Sequence, residues 1–469
     1  MSERTATTVA HVKTSVNIGF DGQLVTVECN ITKGLPAFTV VGLADKAVGE
    51  SRERVRAALV NSGFDFPARH ITVNLAPANI IKNGSHFDLA IALSILVASG
   101  QLLQKHVDGK LFVGELSLGG DLRPVRGALS FAETAERNGL NTIFITRENA
   151  EQAALLPTII AVGATTLTSV VLSLLGENEI SATIAPNLSE LQINPEYTGK
   201  IDEIRGQEFA KRALVVAAAG HHNVLFSGTP GAGKTMLARS LPGLLPPLSI
   251  QEILEITKIH SLAGETDDII TTRPFRAPHS TASTVALAGG GTNARPGEIS
   301  LADNGVLFLD EMPEFSRAAL ELLRQPLEDH EISISRANTK TTYPANFMLV
   351  STMNPCPCGY LGDPDHECTC SQQQIYNYQS KISGPLLDRI DIKLSVAKVS
   401  RDKIFAKNPE PPRAAEFRKN IARARAKQIA RQGRPNANLT NKELTKFAPL
   451  DEASRQLLNA ATEKLNLSA

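Results

Sequence analysis

One loop carries the residues best suited to phosphate chemistry, Gly228-Thr229-Pro230-Gly231-Ala232-Gly233-Lys234-Thr235. Its G-x-x-x-x-G-K-T pattern is typical of loops that hold the phosphates of a nucleoside triphosphate. The glycines let backbone amides point at phosphate oxygens. Lys234 would neutralise the β- and γ-phosphates, and the Thr235 hydroxyl would bind Mg²⁺. The loop therefore predicts ATP and Mg²⁺ as cofactors.

Two adjacent carboxylates follow an apolar run at residues 305–309. Asp310 would bind Mg²⁺ through water, and Glu311 would polarise the water that attacks the γ-phosphate. Acidic residues are also common at the start of an ordinary helix, because the helix dipole favours them there. The presence of the phosphate loop in the same chain favours the catalytic interpretation.

Two further polar residues complete the predicted catalytic set. Asn354 follows the apolar run 347–352, so its side chain could orient the same water. Arg389 lies in a short helical stretch, where a single arginine is usually solvated or salt-bridged. Its spacing after the asparagine instead suggests an arginine finger that reaches the nucleotide of a neighbouring subunit. In that case the ATP site is complete only in an oligomer.

Four of the five cysteines lie close together, as Cys356, Cys358, Cys368 and Cys370. The two C-x-C pairs are separated by nine residues, and four thiolates so placed can bind Zn²⁺ tetrahedrally. His366 could replace one sulfur. The alternative is a group of buried cysteines without a metal. A reducing compartment favours metal over disulfides, so we predict a structural zinc knuckle.

Composition describes a globular protein with a large core and no global charge. The 469 residues are 42% hydrophobic and carry 48 basic and 48 acidic side chains, so a polyanion would need a local patch. The longest apolar run, residues 89–99, is shorter than the ~20 residues of a membrane span. The N-terminus lacks a signal-peptide core, which predicts a cytoplasmic protein.

The pattern of elements predicts an α/β protein of several domains. Strands near 9–31, 38–41, 71–75, 111–113 and 142–145 alternate with helices near 46–61, 87–98 and 128–138. Asp21-Gly22 is the predicted turn of the first hairpin. We expect a first domain at 1–175, a linker at 176–199, an ATPase core at 200–398 with the cysteine knuckle at 356–370, and a helical lid at 399–469. The basic helix 414–432 presents either a charged lid face or a DNA contact.

The first domain resembles the proteolytic domain of Lon protease. The resemblance is carried by residues 73–77, 82–90, 114–118 and 123–127. His86 falls at the position of the nucleophilic serine, and Leu129 falls at the position of the catalytic lysine. A Ser–Lys mechanism needs a hydroxyl beside an amine, and Ser85 is one residue away from the required position. The resemblance therefore implies a Lon-like fold that no longer cleaves peptides and serves assembly or nucleic-acid contact.

Nearly the whole chain resembles the ComM/YifB family of magnesium-chelatase-like AAA+ ATPases. The family-like stretches are residues 273–279, 289–291, 295–300, 323–328 and 354–359. The resemblance implies a homo-oligomer, expected to be a hexamer, that hydrolyses ATP to migrate branched DNA in recombination during natural transformation. Family members usually continue into a further lid helix whose arginine touches the γ-phosphate, and this chain ends before that helix.

Cations in two loops are the candidates for DNA contact. Arg295 follows a glycine-rich stretch, while Arg336 and Lys340 lie near the tip of the predicted hairpin 331–344. In a ring such loops face the central channel, where they could hold backbone phosphates without reading sequence. The alternative, of equal weight, is that these side chains are solvated hairpin tips.

Three functions can be compared on this basis. The first is a DNA-remodelling ATPase, and the second is a chelatase-like ATPase that remodels a protein so that a metal can be inserted. The third, an ATP-driven peptidase, lacks the serine and lysine it needs. The family-like first domain and the cysteine knuckle favour the first.

Overall fold

The computed structural model describes residues 9–43, 45–188, 197, 199–291, 294–336, 339–400 and 411–465. The chain divides into two units. The first comprises Met1–Leu191 and Ile250–Ile270, and the second comprises Gln192–Ser249 and Thr271–Ala469.

A mixed sheet of seven strands forms the centre of the first unit, in the order β3-β4-β2-β1-β5-β8-β9. The strands of this unit are β1 Ala10–Ile18, β2 Asp21–Thr32, β3 Ala37–Val41, β4 His70–Ala76, β5 Lys110–Phe112, β6 Glu115–Leu116, β7 Leu122–Arg123, β8 Thr142–Thr146 and β9 Ile160–Ala164. Strands β1, β2 and β4 pair in antiparallel fashion, whereas β1-β5-β8-β9 are parallel. Alternate residues of β2 are buried, as its sequence pattern predicts.

The turn of the first hairpin differs from the prediction. Ile18 pairs with Asp21, so the turn is Gly19-Phe20, and Gly19 adopts φ 64°. Asp21 and Gly22 belong to β2 instead. A Cβ on Gly22 would lie 2.1 Å from Thr134 Oγ1, so this glycine permits a helix to pack closely against the strand rather than forming the turn.

Helices cover the sheet of the first unit, at Lys46–Asn61, Asp88–Ala98, Gln104–Val107, Ala128–Arg137, Arg147–Ala153, Leu167–Leu175 and Ile250–Ala263. Asp88–Ala98 is buried over most of its length. The last helix comes from far along the chain. Its Lys258 contacts Glu133, with Nζ 2.5 Å from Oε2, and its Ser261 Oγ accepts a 2.9 Å hydrogen bond from the Gly127 amide.

A parallel sheet of five strands forms the centre of the second unit, in the order β11-β14-β17-β10-β18. All of its neighbouring strands are parallel. The strands of this unit are β10 Val224–Ser227, β11 Phe275–Arg276, β12 Gly289–Gly290, β13 Arg295–Pro296, β14 Val306–Leu309, β15 Glu331–Arg336, β16 Thr339–Pro344, β17 Met348–Met353 and β18 Ile392–Ser395. Strands β10, β14 and β17 are neighbours in the sheet, so the loops after their carboxyl ends meet at one edge.

Helices surround this second sheet, at Glu208–Gly220, Lys234–Ser240, Thr284–Ala288, Glu298–Leu301, Arg317–Glu321, Arg324–Asp329, Gln372–Gln379, Gly384–Leu387, Ala414–Gln432, Asn441–Phe447 and Glu452–Leu465. Short 3₁₀ turns lie at Lys200–Glu203, Leu241–Leu244, Met312–Glu314 and Asn436–Asn438. The α-helix after the phosphate loop ends at Ser240, shortly before Pro242. It passes into the 3₁₀ turn, where a proline near the start leaves no donor unpaired. Within the described residues, no helix is both long and apolar enough to cross a bilayer.

Candidate nucleotide-binding site and cysteine cluster

The phosphate loop connects β10 to the helix Lys234–Ser240, as the motif predicts. The Gly228 amide donates to the Met353 carbonyl at 3.2 Å. A Cβ on Gly228 would lie 2.2 Å from the carbonyl oxygen of Val396, and Gly231 and Gly233 adopt φ 78° and 88°. These three positions require glycine for contact or conformation. The three glycines thus give the loop the backbone conformation that its motif predicts for binding phosphate.

The Lys234 ammonium lies within the concavity of this loop. Its Nζ donates to the carbonyl oxygens of Gly228 and Thr229 and, at 3.1 Å, to Asn354 Oδ1. Burial lowers the pKa of Lys234, whereas the carboxylates of Asp310 and Glu311 raise it. A half-buried ammonium whose hydrogen-bond partners are neutral oxygens is suited to pair with phosphate oxygens. Lys234 and Asn354 therefore come together, although 120 residues separate them.

Asp310 directly follows β14, and its carboxylate lies beside the first turn of the Lys234–Ser240 helix. The Thr235 hydroxyl lies 3.3 and 3.2 Å from the two oxygens of its carboxylate. Mg²⁺ prefers hydroxyl, carboxylate and water oxygens, and this pair offers two of them. The donor set fits the cation that the motif predicts. Glu311 is exposed and adopts φ 52°, which directs the chain away from the strand.

Two polar residues that the sequence analysis did not single out hold this arrangement in place. Thr352, on β17, donates to Asp310 Oδ1 at 2.5 Å and accepts the amide of Glu311 at 2.9 Å. Gln207 Nε2 donates to the carbonyls of Ala232 at 3.1 Å and Ala397 at 2.7 Å. The one sequence signal that could have indicated Gln207 is the Gly206-Gln207 pair just before a helix. Both residues adopt a left-handed backbone conformation.

Arg389 lies after the short helix Gly384–Leu387 and contacts its own chain. Its guanidinium donates to the Pro385 carbonyl at 2.6 Å and to the exposed carboxylate of Glu328. The backbone around it is fixed, because the Asn223 side chain donates to the Arg389 carbonyl at 2.9 Å. Asn223 directly precedes β10, so the backbone of Arg389 is connected to the strand that leads into the phosphate loop.

The four cysteine sulfurs lie within 4.8 Å of one another. Cys356 Sγ is 3.3 Å from that of Cys358 and 3.6 Å from that of Cys368. Four thiolates around one Zn²⁺, each about 2.3 Å from the metal, would stand about 3.8 Å apart. A backbone hydrogen bond to Tyr360 lowers the pKa of Cys358, whereas desolvation and the neighbouring sulfurs raise the pKa of Cys368 and of Cys370. The cluster could therefore hold a metal ion such as zinc.

His366 is placed outside this group of sulfurs. Its ring stacks on Tyr360, with centroids 4.8 Å apart, and its Nδ1 lies 3.7 Å from the Asp363 carboxylate. The four cysteines form a complete ligand set without it.

Comparison with known proteins identifies the family. Residues 200–404 match the family model for magnesium chelatase, subunit ChlI, residues 27–149 match that for subunit ChlI of Mg-chelatase, and residues 412–469 match that for the ChlI C-terminal region. The competence protein ComM of Haemophilus influenzae is 44% identical over 98% of this chain and 90% of the relative. The chain belongs to the ComM/YifB family of magnesium-chelatase-like AAA+ proteins.

Other relatives place this ComM/YifB member in the same group. The uncharacterised protein YifB of Salmonella typhimurium is 41% identical over 98% of this chain and 90% of its own length. The 67 kDa magnesium-chelatase subunit of Heliobacterium mobile is 29% identical over 44% of this chain and 34% of its own length. Membership of this AAA+ family implies ATP and Mg²⁺ as ligands.

In this ComM/YifB member the residues matched to the Lon active site have structural partners. His86 Nε2 donates to the Ser15 carbonyl at 3.0 Å, and Leu129 is fully buried in the core. The Ser85 hydroxyl donates to the Glu115 carboxylate. Lys82, also fully buried, donates to the Pro77 carbonyl. None of these contacts joins a serine hydroxyl to a lysine amine.

The candidate DNA-binding cations lie on two hairpins that touch. Arg295 is in the β12–β13 pair, and Lys340 is in the β15–β16 hairpin; both side chains are exposed. The Tyr343 hydroxyl, on β16, donates to the Ala294 carbonyl at 2.8 Å. The side chain of Arg336 lies outside the described part of the structure.

Proposed function

We propose that this ComM/YifB-family protein hydrolyses ATP and uses the energy to migrate branched DNA in recombination during natural transformation. The observation that carries the proposal is the meeting of Lys234, Thr235, Asp310 and Asn354 at the carboxyl edge of three adjacent parallel strands. Enzymes that transfer phosphoryl groups combine an amine that binds phosphate, oxygen ligands for Mg²⁺ and a polar residue that follows a neighbouring strand.

Each residue of the site has a role that follows from its chemistry. Lys234 pairs with the β- and γ-phosphate oxygens, while Thr235 and Asp310 hold Mg²⁺, which offsets phosphate charge when bound. Glu311, exposed at the strand end, accepts a proton from the attacking water. The Asn354 amide, already bonded to Lys234, orients that water.

Arg389 acts on the nucleotide of a neighbouring copy in a homo-oligomer, which we expect to be a hexamer. The support is its position at the end of a short helix, with a guanidinium that is about one quarter exposed and paired with a carboxylate that is mostly exposed. An exposed ion pair contributes little to stability, so Arg389 can exchange Glu328 for the γ-phosphate of the next subunit at small cost.

DNA is the proposed polymer substrate, bound as single-stranded or branched DNA by its backbone. A relative that shares 44% of its residues is named a competence protein. The two touching hairpins put Arg295 and Lys340 on adjoining loops, and Arg336 belongs to the same hairpin as Lys340. Cations of this kind hold phosphates without reading bases, which suits a motor that moves along DNA.

The first 175 residues form, in this proposal, a Lon-like domain without peptidase activity that serves assembly or DNA contact. A linker at 176–199, the ATPase core at 200–398 and a helical lid at 399–469 follow. Zn²⁺ is the ion we propose for Cys356, Cys358, Cys368 and Cys370. Four thiolates leave no open coordination position, which indicates a structural rather than a catalytic metal.

A second candidate is an ATPase that remodels a protein partner for metal insertion. It is favoured by the partial similarity to a 67 kDa magnesium-chelatase subunit. The similarity to ComM covers far more of the chain, which favours the DNA motor.

One assay separates the candidates. The ATPase rate is measured alone, with single-stranded DNA, with a four-way junction, and with magnesium-chelatase partner subunits, using Lys234→Ala to correct for contaminating enzymes. Stimulation by DNA that disappears in the Lys234→Ala variant supports the proposal. A rate that responds only to the protein partner supports the second candidate, and no lysine-dependent hydrolysis under any condition would refute both.

A further inference from the structure

The cysteine cluster directly adjoins the phosphate loop. Gly359 lies between the two cysteine pairs, with φ 87°, and a Cβ placed on it would come within 2.8 Å of Pro230 Cγ and 2.9 Å of Pro230 Cδ. Pro230 is the third residue of the phosphate loop. The backbone of the cysteine loop therefore packs against the phosphate loop with no space for a side chain between them.

The same loop also carries Asn354 into the site. Asn354 accepts the hydrogen bond from Lys234 at 3.1 Å and lies two residues before Cys356. Cys356 is fully buried, and its sulfur accepts the Leu361 amide at 3.4 Å, while its carbonyl accepts the Gly359 amide at 3.0 Å. The contacts of Cys356 thus fix the backbone between Asn354, which contacts Lys234, and Gly359, which contacts Pro230.

A third attachment joins the cysteine loop to the segment that follows β18. The Asp363 carboxylate pairs with Lys398 at 2.6 Å. Lys398 follows Val396, whose carbonyl oxygen faces Gly228. Gln379 also donates to the Pro355 carbonyl at 2.9 Å. The cysteine loop is therefore attached to the surroundings of the phosphate loop at several points.

We infer that the metal-bound cysteine loop is a positioning element of the ATP site, so that metal occupancy controls the rate of hydrolysis. With the four sulfurs tied to one ion, Gly359 supports Pro230 and Asn354 is held beside Lys234. Without the ion, no bond ties the four sulfurs to one another, the loop is held only by its hydrogen bonds and ion pair, and both contacts loosen. The inference rests on the proposed ATP hydrolysis and the proposed zinc, and it adds a role for Cys356, Cys358, Gly359, Cys368 and Cys370.

The first experiment changes the metal. Wild type, Cys368→Ser and Cys29→Ser are purified under reducing conditions, and zinc per chain is measured by mass spectrometry beside the ATPase kcat and KM. Cys29 is a matched control because it is a fully buried cysteine of the first unit, outside the cluster. We expect one zinc in wild type and Cys29→Ser, and its loss with at least a tenfold lower kcat/KM in Cys368→Ser. Co²⁺ added to the stripped wild type should give the visible absorption of a tetrahedral thiolate site and restore the rate.

The second experiment changes the contact and leaves every cysteine in place. Gly359→Ala should keep its zinc while raising KM for ATP about tenfold, because the new methyl displaces Pro230. Gly362→Ala is the control, because Gly362 also has a positive φ of 78° and a Cβ there would meet no atom within 4 Å. Adding Pro230→Ala to Gly359→Ala removes the colliding ring carbons and should recover part of the lost KM.

The outcomes distinguish this inference from the proposed function. Wild type that hydrolyses ATP but contains no zinc, or whose stripped form is as active as the loaded form, overturns the inference and leaves the ATPase proposal intact. Equal KM values for Gly359→Ala and Gly362→Ala would show that the contact does not position the phosphate loop. If wild type itself shows no Lys234-dependent hydrolysis, the proposed function fails first.

Discussion

The Thr352 hydroxyl donates a 2.5 Å hydrogen bond to the Asp310 carboxylate. The same oxygen accepts the amide of Glu311 at 2.9 Å, so one side chain of β17 fixes both acidic residues at the end of β14. The Asp310 carboxylate, which we propose as a Mg²⁺ ligand, is therefore oriented by a hydrogen bond from the neighbouring strand β17.

Thr352→Val should lower the ATPase kcat by about tenfold to a hundredfold, because a hydrogen bond to a charged group contributes about 1.5–3 kcal/mol and valine keeps the shape of threonine. Thr352→Ser should retain most of the rate. Ser351→Ala is the control, since in the described part of the chain the buried Ser351 hydroxyl has no hydrogen-bond partner. Steady-state rates across a Mg²⁺ titration measure the effect. If the Val and Ser variants are equally active, Thr352 does not orient Asp310.

Asp310 and Thr352 also show which parts of the site can be predicted from the sequence and which cannot. The phosphate loop and the acidic pair could be predicted because each is a contiguous pattern whose chemistry is local. Thr352 could not, since its partner depends on the register of β14 against β17, in which Leu309 faces Ser351. Gln207 was missed for the same reason, because both of its acceptors are remote in sequence.

The helix Ile250–Ala263 is a second case. An apolar periodicity predicts a helix but does not say which core will bury it. Its Leu254 packs in the core of the first unit, and its Lys258 contacts Glu133 there. This segment lies within residues 200–398, the range predicted for the ATPase core, whereas the structure groups Ile250–Ile270 with the first unit. Only tertiary packing determines that choice.

Arg389→Ala should abolish ATP hydrolysis while leaving nucleotide affinity nearly unchanged, because the arginine is proposed to act on the neighbouring subunit. The decisive measurement mixes Arg389→Ala with Lys234→Ala. Each variant is inactive alone, but the mixture contains interfaces with an intact phosphate loop on one side and an intact arginine on the other. We expect the mixture to recover a measurable fraction of the wild-type rate.

Glu328→Ala is the control for this experiment, since it removes the partner of Arg389 within its own chain. It should remain active, as an exposed ion pair contributes about 1 kcal/mol or less. A mixture that stays inactive, together with an inactive Glu328→Ala variant, would mean that Arg389 serves the stability of its own subunit instead.

Arg295→Ala and Lys340→Ala should each weaken binding to single-stranded DNA and flatten its salt dependence. Each lost phosphate contact reduces the slope of log K against log salt by about 0.7 for single strands. The exposed Lys393, on β18, is the matched control. Fluorescence anisotropy at several salt concentrations measures the slopes. Slopes equal to wild type in both variants would remove these hairpins from the DNA path.

Acid should destabilise the first unit through His86. Its ring packs against Phe87 and Phe131, with centroids 4.2 and 5.1 Å away. Burial lowers the pKa of His86 to about 4, and the hydrogen bond to the Ser15 carbonyl raises it only in part. The carbonyl can only accept, so Nε2 carries the proton and Nδ1 is the site that acid would protonate.

The sign follows from the two pKa values. An unfolded histidine titrates near 6.5, so between pH 6.5 and 4 the unfolded state binds more protons than the folded state. Stability contributed by the neutral ring is full above pH 6.5 and is lost as the pH falls, by about 3 kcal/mol in total. His86→Gln preserves a donor toward Ser15 but cannot be protonated. Hydrogen exchange of β1 and β2 amides at pH 7, 6 and 5 should therefore accelerate less in this variant than in wild type, after correction for intrinsic exchange. Parallel profiles for the two proteins would show that His86 does not govern the acid sensitivity of this sheet.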